Sequence, residues 1–390
     1  MELFIFTPIE TVLLLIASTT FCIQALYYFC IYNRIYLRNR ASKREEIHFS
    51  QEQPPVSVII YVREEYENLR RNLISILSQA YPQFEVIVIN DGKDTKSEDY
   101  LTLLENNYTN LYHSFVPDSS RYISRKKLAI TLGIKAAKYD WIVVTDANCR
   151  PASDQWLSLL ARNFTSRTQV VLGYSGYETG KGWLHKRAVF DNLFTSMRYL
   201  GFALAGKPYM GIGRNLAYRK DLFYNQKGFS AHLDLQRGDD DLFINQVATA
   251  TNTRVETTAE AAMLIPAPAR IKEWKEEKIG YANTARLYQG IQRYLLGFET
   301  TDRIIFYVAW IGTAILSVLN FHWIVTTIAL LLFLLRYTFQ AIIINFTARS
   351  LSTPRRYYLT LPLFDFLQPC QSLRWKLYCL FRKKEEFLRK

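Results

Sequence analysis

The chain has 390 residues, of which 49% are hydrophobic, and its formal net charge is +13. That apolar content suffices for a large core, and five scattered cysteines without a paired CxxC sequence exclude a disulfide framework or a zinc site. A basic excess is typical of nucleic-acid binding. Here, however, many positive residues flank long apolar runs, which favours membrane association and no nucleic-acid partner.

The first element is an apolar run from about Ile9 to Tyr32, long enough to cross a bilayer. Acidic residues precede it and arginines follow it, so we expect residues 1–33 to be an uncleaved anchor with its N-terminus outside. A polar linker at 34–53 then leads to a globular part at 54–300, which we expect on the cytosolic side.

The globular part alternates between two patterns. VSVIIYV, EVIVIN and WIVVTD are typical of strands, and helical periodicity separates them, as in RKKLAITLGIKAA. Strands alternating with helices predict βαβ units and a parallel α/β sheet. Gln169–Gly173 predicts another buried strand. The amphipathic stretch His185–Leu204 is expected to pack on the sheet, with a position on the membrane surface as the alternative.

Two further apolar spans are predicted near Ile304–Phe321 and Trp323–Phe346, within a segment at 301–346. Three spans place the basic tail, residues 347–390, on the cytosolic side of the membrane. The sequence therefore predicts a multi-pass protein of the cell membrane.

Arg336 lies inside the third span, where an arginine costs about 2.5–3.5 kcal/mol on insertion scales. We expect it to snorkel to the cytoplasmic interface, and contact with an anionic lipid-linked group is the alternative. The tail from Leu359 to Phe381 is aromatic and basic, and Pro362 and Pro369 interrupt it. This composition predicts an interfacial segment.

Three acidic clusters occur in a fixed order along the globular part. They are Asn90-Asp91-Gly92, Asp146-Ala147-Asn148, and Gly238 followed by Asp239, Asp240 and Asp241. The first two directly follow strands, at the edge where open α/β sheets bind ligands. Carboxylates that meet there need a divalent cation, a polar substrate, or both. The clusters therefore predict a common binding cleft.

The order of these segments resembles membrane-bound family 2 glycosyltransferases. The run VSVIIYVREEYENLRRNLISILSQAYPQFEVIVINDG is similar to their opening, and KKLAITLGIKAA, VVTDANCRP, GIGRNLAYRK and GDDDLF resemble their later blocks. The resemblance covers roughly residues 54–300 and extends to catalytic subunits of cellulose, chitin and poly-N-acetylglucosamine synthases. It implies the GT-A fold, a Rossmann-like mixed sheet flanked by helices, and a nucleotide-diphosphate sugar donor.

The resemblance also implies donor-binding roles. Asp91 matches the family's nucleoside-binding aspartate, Glu65 lies where the family contacts the nucleoside, and Lys126 matches a lysine near the donor phosphates. The alternatives are a turn-forming Asp91, a helix-terminal charge at Glu65 and a solvated Lys126.

The family has a DxD triplet where this chain reads Asp146-Ala147-Asn148. Asp146 would hold Mg²⁺ or Mn²⁺ on the donor diphosphate. Asn148 can offer a carbonyl oxygen to the cation but brings no charge, so weaker metal binding is expected. Alternatively, Asn148 caps the turn before Pro151.

Inverting transfer requires a base that deprotonates the acceptor hydroxyl. Asp239 and Asp240 align with the family's acidic pair, which makes Asp240 the candidate base; an alignment error of one residue would transfer the role to Asp241. One of the three could instead be the N-cap of the next helix. The family's acceptor-side GxGxN strip matches Gly211, Gly213 and Asn215.

A departure occurs where processive relatives carry a QxxRW-like motif. The matching region is Trp274–Gly280, and the arginine and tryptophan positions look like Ile279 and Gly280. Lys278 and Arg286 could partly replace the lost charge. Without the tryptophan, long-chain synthesis is in doubt.

These features predict a membrane-anchored, metal-dependent, inverting hexosyltransferase. It would move a sugar from a UDP-linked donor to a hydroxyl of a lipid-linked or cell-surface glycan. The alternative is a non-catalytic pseudo-glycosyltransferase that binds nucleotide or glycan beside a partner synthase, which Asn148 and the missing tryptophan would explain.

Overall fold

The computed structural model describes residues 7–92, 94–117, 124–353 and 355–381. The strands of these residues are β1 (Val56–Val62), β2 (Phe84–Asn90), β3 (Leu111–Phe115), β4 (Trp141–Asp146), β5 (Arg150–Pro151), β6 (Val170–Leu172), β7 (Ser175–Tyr177), β8 (Leu216–Arg219), β9 (Thr253–Val255) and β10 (Met263–Ile265). Their α-helices are α1 (Pro8–Tyr27), α2 (Arg34–Lys43), α3 (Tyr66–Leu77), α4 (Thr95–Asn107), α5 (Arg125–Ala136), α6 (Trp156–Ala161), α7 (Trp183–Leu204), α8 (Lys220–Asn225), α9 (Asp241–Val247), α10 (Ile271–Thr284), α11 (Gln292–Leu319), α12 (Trp323–Ser350) and α13 (Leu361–Phe381).

The main sheet has seven strands in the order β3-β2-β1-β4-β8-β6-β9. β1 is parallel to β2 and β4, and β2 is parallel to β3. β8 is antiparallel to both of its neighbours, β4 and β6. The expected βαβ units are thus confirmed in the first four strands, and β8 makes the whole sheet mixed. A second sheet has the order β5-β10-β7.

Both faces of the main sheet are covered. Val58 of β1 packs in one buried cluster with Leu73 of α3, and the next residue, Ile59, packs in the other with Ile134 of α5. Sheets covered on both faces bind ligands beyond the ends of their strands. The carboxyl edge is therefore the part of this sheet that is open to a substrate.

Helix α7 packs against the sheet, which confirms the preferred interpretation of His185–Leu204. Phe194 and Met197 are buried in the same core cluster as Ile59. The hydroxyl of Tyr199 donates to the carbonyl oxygen of Gly173 at 2.8 Å, so the helix is also joined to the chain just after β6.

Among the residues that the structure describes, three helices are long and apolar enough to cross a membrane. The first, Pro8–Lys43, joins α1 to α2 through a π-helical turn, and the others are α11 and α12. This arrangement confirms one N-terminal and two C-terminal spans, although α11 begins at Gln292, well before the predicted start. Glu10 joins the far ends of the spans, accepting from Asn320 Nδ2 at 3.0 Å and His322 Nδ1 at 2.7 Å.

The prediction that Arg336 snorkels is wrong. Its side chain is buried, and its Nη2 atom donates to Asp365 Oδ2 at 2.7 Å. Its Nε atom donates to Gln24 Oε1 at 2.7 Å and its Nη1 atom to the Tyr307 hydroxyl at 3.1 Å. Each nitrogen thus has a protein partner, so burial is satisfied within the chain and needs neither the interface nor a lipid group.

The partner of Arg336 comes from the tail, which forms one continuous helix, α13. Pro362 lies in its first turn, where proline is tolerated, and Pro369 lies inside it. Asp365 Oδ1 also accepts from Arg303 Nη2 at 2.7 Å. The expected interruption of the tail is therefore wrong. Its interfacial location stays a prediction, although α13 exposes a set of apolar residues that includes Leu373, Leu377 and Leu380.

We predict that Asp365→Asn destabilises the protein by about 3–5 kcal/mol, because it leaves Arg303 and Arg336 buried without their shared carboxylate. Thermal unfolding of the purified protein in detergent measures the loss. Asp140→Asn is the matched control, since the Asp140 side chain is 81% exposed. Equal unfolding temperatures for Asp365→Asn and the wild type would show that the carboxylate does not contribute.

Candidate active site

The register of the main sheet brings the first two acidic clusters to one edge. Asp146, the last residue of β4, lies opposite Tyr61 of β1. Asn90, the last residue of β2, lies opposite Val62 on the other side of β1. Asp91 follows directly, so both clusters stand at the carboxyl ends of the two strands that flank β1, as expected.

Asp91 has a buried side chain with one donor on each oxygen. The Tyr61 hydroxyl donates to Oδ2 at 2.9 Å, and Arg125 Nε donates to Oδ1. The Asp91 side chain has no exposed surface, so a ligand could reach these oxygens only after Tyr61 or Arg125 moves. Arg125, the first residue of α5, did not stand out in the sequence.

Lys126 joins the second cluster to the third. Its ammonium lies 2.7 Å from Asp146 Oδ1 and 3.4 Å from Asp239 Oδ2. Burial lowers the pKa of Lys126, but the carboxylates of Asp146, Asp239 and Asp240 outweigh it and hold this pKa above its usual value. The lysine is thus a fixed positive charge, and its side chain is paired rather than fully solvated.

Glu65 lies beside the same group of charges. It precedes the first residue of α3, which fits the helix-terminal alternative, and its Oε2 accepts from Asn68 Nδ2 at 2.9 Å. Burial raises the pKa of Glu65, and the negative charge of Asp146 adds to that effect. The charge of Asp146 therefore acts directly on the carboxylate of Glu65.

The pKa of Asp146 is lowered although burial acts to raise it, because Lys126, Arg214 and Arg237 surround the carboxylate with positive charge. Asn148 is partly exposed two residues beyond. Its Oδ1 atom accepts only a long contact from Cys149 Sγ, at 3.5 Å. Asp146 and Asn148 thus supply the side-chain oxygen atoms that a cation could bind at the end of β4.

Asp240 is held by backbone and side-chain donors. Its Oδ2 atom accepts from Gly213 N at 2.9 Å and from the Tyr281 hydroxyl at 3.0 Å, and Oδ1 accepts from Asp241 N at 2.7 Å. Asp240 is itself the N-cap of α9. Burial and then the charge of Asp239 raise its pKa, which suits a proton acceptor.

Asp241 has no exposed surface. Its Oδ2 atom accepts from the Thr284 hydroxyl and, at 2.8 Å, from the Tyr288 hydroxyl. Burial, followed by the charge of Asp240, raises its pKa to about 7. A carboxyl with no exposed surface cannot contact a substrate, so this geometry favours Asp240 over Asp241 as the base.

The predicted acceptor-side strip divides into two environments. Gly213 lies beside Asp240, where a Cβ atom would come within 3.3 Å of the aspartate Cβ. Gly211 instead faces apolar core side chains, with Leu172 Cδ2 at 3.1 Å from such a Cβ. The buried amide of Asn215 donates to the Tyr174 carbonyl at 2.8 Å. Of the three residues, Gly213 is therefore the one placed next to the acidic cluster.

The sequence predicts that Lys278 and Arg286 partly replace the charge of the QxxRW-like motif, but neither residue reaches the acidic clusters in the structure. Lys278 pairs with Asp191, 2.5 Å away, and Arg286 donates to the Cys379 carbonyl at 3.4 Å. Arg214, which lies inside the quoted GIGRN strip, pairs instead with Glu277 of α10 at 3.0 Å. Its place within this strip is the feature of the sequence that could have identified Arg214 as a residue of the site.

The expectation that the Gln-x-x-Arg-Trp motif is lost is wrong, because the chain contains this sequence at Gln371–Trp375, on α13. Arg374 is exposed there, with its guanidinium carbon 5.6 Å from the centre of the Trp375 ring. On α10, it is Tyr281 that reaches the candidate base. Long-range contacts such as the Tyr281–Asp240 bond have no local signal in a single sequence.

Comparison with known proteins identifies relatives for part of this chain. The sequence profile of Glycosyl transferase family 2 matches residues 57–226. The poly-beta-1,6-N-acetyl-D-glucosamine synthase of Staphylococcus epidermidis is 28% identical over 131 residues, which are 34% of this chain and 30% of that protein. The match therefore spans less than a third of that relative's length.

The solved structure of mannosyltransferase PcManGT from Pyrobaculum calidifontis, in complex with GDP-Man and Mn²⁺, superposes with a TM-score of 0.57. Its sequence is 15% identical, and the superposition covers 89% of this chain and all of that one. Similarity at this level reports the fold. The profile thus identifies residues 57–226 as similar to family 2 glycosyltransferase domains, and the superposition agrees with the GT-A fold that this similarity implies.

Proposed function

We propose that this protein is a membrane-anchored, inverting glycosyltransferase that uses Asp240 as its catalytic base. The observation that carries the proposal is the position of Asp240, a buried carboxylate with a raised pKa, in the same charge cluster as the Lys126–Asp146 pair. Base and phosphate-binding groups must lie close together for a single displacement at the anomeric carbon.

In this mechanism, Asp91 and Glu65 bind the nucleoside, and Lys126 neutralises charge on the diphosphate. A carboxylate oxygen of Asp240 takes the proton of the acceptor hydroxyl while the acceptor oxygen bonds to the anomeric carbon. The bond from that carbon to the donor phosphate breaks, and the nucleoside diphosphate departs with the electron pair. Attack opposite the leaving group inverts the anomeric configuration.

Mg²⁺ or Mn²⁺ fits this site through Asp146 and Asn148, with the donor diphosphate as the other source of oxygen ligands. Within the described ranges, His, Cys, Asp and Glu side chains form no group of three or more able to hold a metal. A cation that depends on two protein oxygens would therefore need the donor. Once bound, it would neutralise charge on the leaving diphosphate.

The donor proposed here is a UDP-sugar, with UDP-N-acetylglucosamine as the first to test. The profile match and the relative that makes poly-beta-1,6-N-acetyl-D-glucosamine support this choice. The acceptor is proposed to be a hydroxyl of a lipid-linked or cell-surface glycan, because three candidate membrane helices belong to the same chain as the cleft. The cytosolic orientation is proposed from the flanking charges.

We predict that Asp240→Asn lowers sugar transfer by about 10²- to 10⁴-fold, because the amide cannot accept the acceptor proton. Transfer is measured with purified protein, radiolabelled donor and lipid extract, and donor binding by calorimetry. Donor affinity should persist. Asp234→Asn, an exposed residue of the same loop, is the control. Undiminished transfer by Asp240→Asn would refute the base assignment, and donor binding without turnover in the wild type would favour the non-catalytic alternative.

A second prediction concerns pH. The base must be ionised, so activity should fall as the pH decreases through the raised pKa of Asp240. Tyr281→Phe removes a hydrogen bond to the ionised form and should raise this pKa further. The acidic limb of the pH–rate profile should then move to higher pH. Tyr224→Phe, at an exposed tyrosine, should leave the limb in place. An unmoved limb in Tyr281→Phe would contradict a role for this hydroxyl.

A third prediction concerns the metal. Asn148→Asp adds a second carboxylate at the end of β4 and should tighten Mn²⁺ binding severalfold in the presence of UDP, because each added charge strengthens the attraction to the cation. Titration followed by electron paramagnetic resonance measures free Mn²⁺ directly. Asn107→Asp, at an exposed position of α4, is the control. Weaker or unchanged binding in Asn148→Asp would argue against Asn148 as a ligand.

A further inference from the structure

Gly280 of α10 provides a recess in the cleft wall that a side chain fills from another segment. A Cβ atom built on Gly280 would overlap the Cδ and Nε atoms of Arg237 and lie 3.0 Å from its Cζ. The outer half of the arginine therefore lies directly on the helix backbone. Only glycine leaves room for such an approach.

The recess places the guanidinium at the acidic clusters. Its Cζ atom lies 5.9 Å from the centre of the Tyr281 ring, a cation–π arrangement, and Tyr281 is the residue that donates to Asp240. Arg237 is also, with Lys126 and Arg214, one of the cations whose charge acts on Asp146. Arg237 thus faces the aromatic ring whose hydroxyl binds the candidate base, and it adds positive charge near the end of β4.

The loop that carries Arg237 is anchored to the start of α5. Lys127 Nζ donates to the carbonyl oxygens of His232 at 2.6 Å and Leu235 at 2.9 Å. The Ser124 hydroxyl donates to the carbonyl of Gln236 at 2.7 Å. Because α5 also carries Lys126, these bonds fix the two cations relative to each other.

The cations of this cleft differ in their partners. Lys126 is paired with Asp146, and Arg214 with Glu277. Arg237 is exposed, and no ion pair joins it to any other residue that the structure describes. An exposed arginine is commonly mobile and contacts only water. The side chain of Arg237 instead lies in the recess at Gly280 and beside the Tyr281 ring. These two contacts hold its guanidinium in a position where it can bind an anion.

We propose that Arg237 binds the diphosphate of the nucleotide donor. The planar guanidinium can donate two parallel hydrogen bonds to phosphate oxygens, and Lys126 would supply a second positive charge. This inference rests on the proposed function, since it names a further residue of the same donor site. It also explains how the cleft can hold a diphosphate when Lys278 and Arg286 are engaged elsewhere.

The test compares UDP, UMP and uridine as ligands of the full-length protein in detergent, by calorimetry with Mg²⁺ present. Arg237→Ala should weaken UDP binding about 10- to 100-fold, the range for a lost hydrogen bond to a charged group, and should leave uridine binding unchanged. The UDP affinity of Arg237→Lys should lie between those of Arg237→Ala and the wild type. Arg219→Ala, at a partly exposed arginine that ends β8, should match the wild type.

Gly280→Ala provides a second variant that retains the charge. The added methyl group displaces the flexible end of Arg237, so UDP binding should weaken while the unfolding temperature stays close to that of the wild type. In the Arg237→Ala background, the same substitution should have no further effect on UDP affinity.

Two outcomes would overturn the inference. In the first, Arg237→Ala binds UDP as tightly as the wild type does. In the second, Arg237→Ala loses affinity for UDP and for uridine to the same extent. The proposed function fails separately, if the wild type itself binds no nucleoside diphosphate.

Discussion

The ammonium of Lys126, held between the carboxylates of Asp146 and Asp239, is the contact on which the cleft depends. A buried carboxylate and a partly buried one from distant parts of the chain repel each other unless a positive charge lies between them. The neighbours of Lys126 extend this role: Arg125 pairs with the first acidic cluster, and Lys127 anchors the loop before the third. Three consecutive residues at the start of one helix thereby assemble the whole site.

Much of the fold could be predicted from local patterns. Apolar β-branched runs gave β1, β2 and β4 within a residue or so, and helical periodicity gave α3 and α5. The antiparallel β8 and the burial of Arg336 were not predicted from these patterns, because both depend on partners far away in sequence. Hydrophobic periodicity reports which face of a segment is buried, and not what covers it.

In the candidate site, too, the features set by local sequence were predicted, and those that depend on distant partners were not. The three acidic clusters follow from strand ends and from the family resemblance. Their partners Arg125, Tyr281 and Tyr288 do not, because each makes its contact from a helix or turn with no distinctive local sequence. Gly280 is the clearest case. In the sequence it looks like a lost functional side chain, whereas in the structure it is the space in which Arg237 lies.

The position of Asp365 connects the long apolar helices to the wall of the candidate active site. The helix that carries this residue is joined by ion pairs to α11 and α12 and also packs along α10, where the Cys379 thiol approaches the Ile279 carbonyl at 3.7 Å. Excising the spans to obtain a water-soluble enzyme would therefore uncover the wall that carries Tyr281 and Gly280. If the apolar helices lie in a bilayer, as proposed, this connection passes a change in bilayer thickness on to the wall that carries Tyr281, and sugar transfer should then depend on the surrounding lipid.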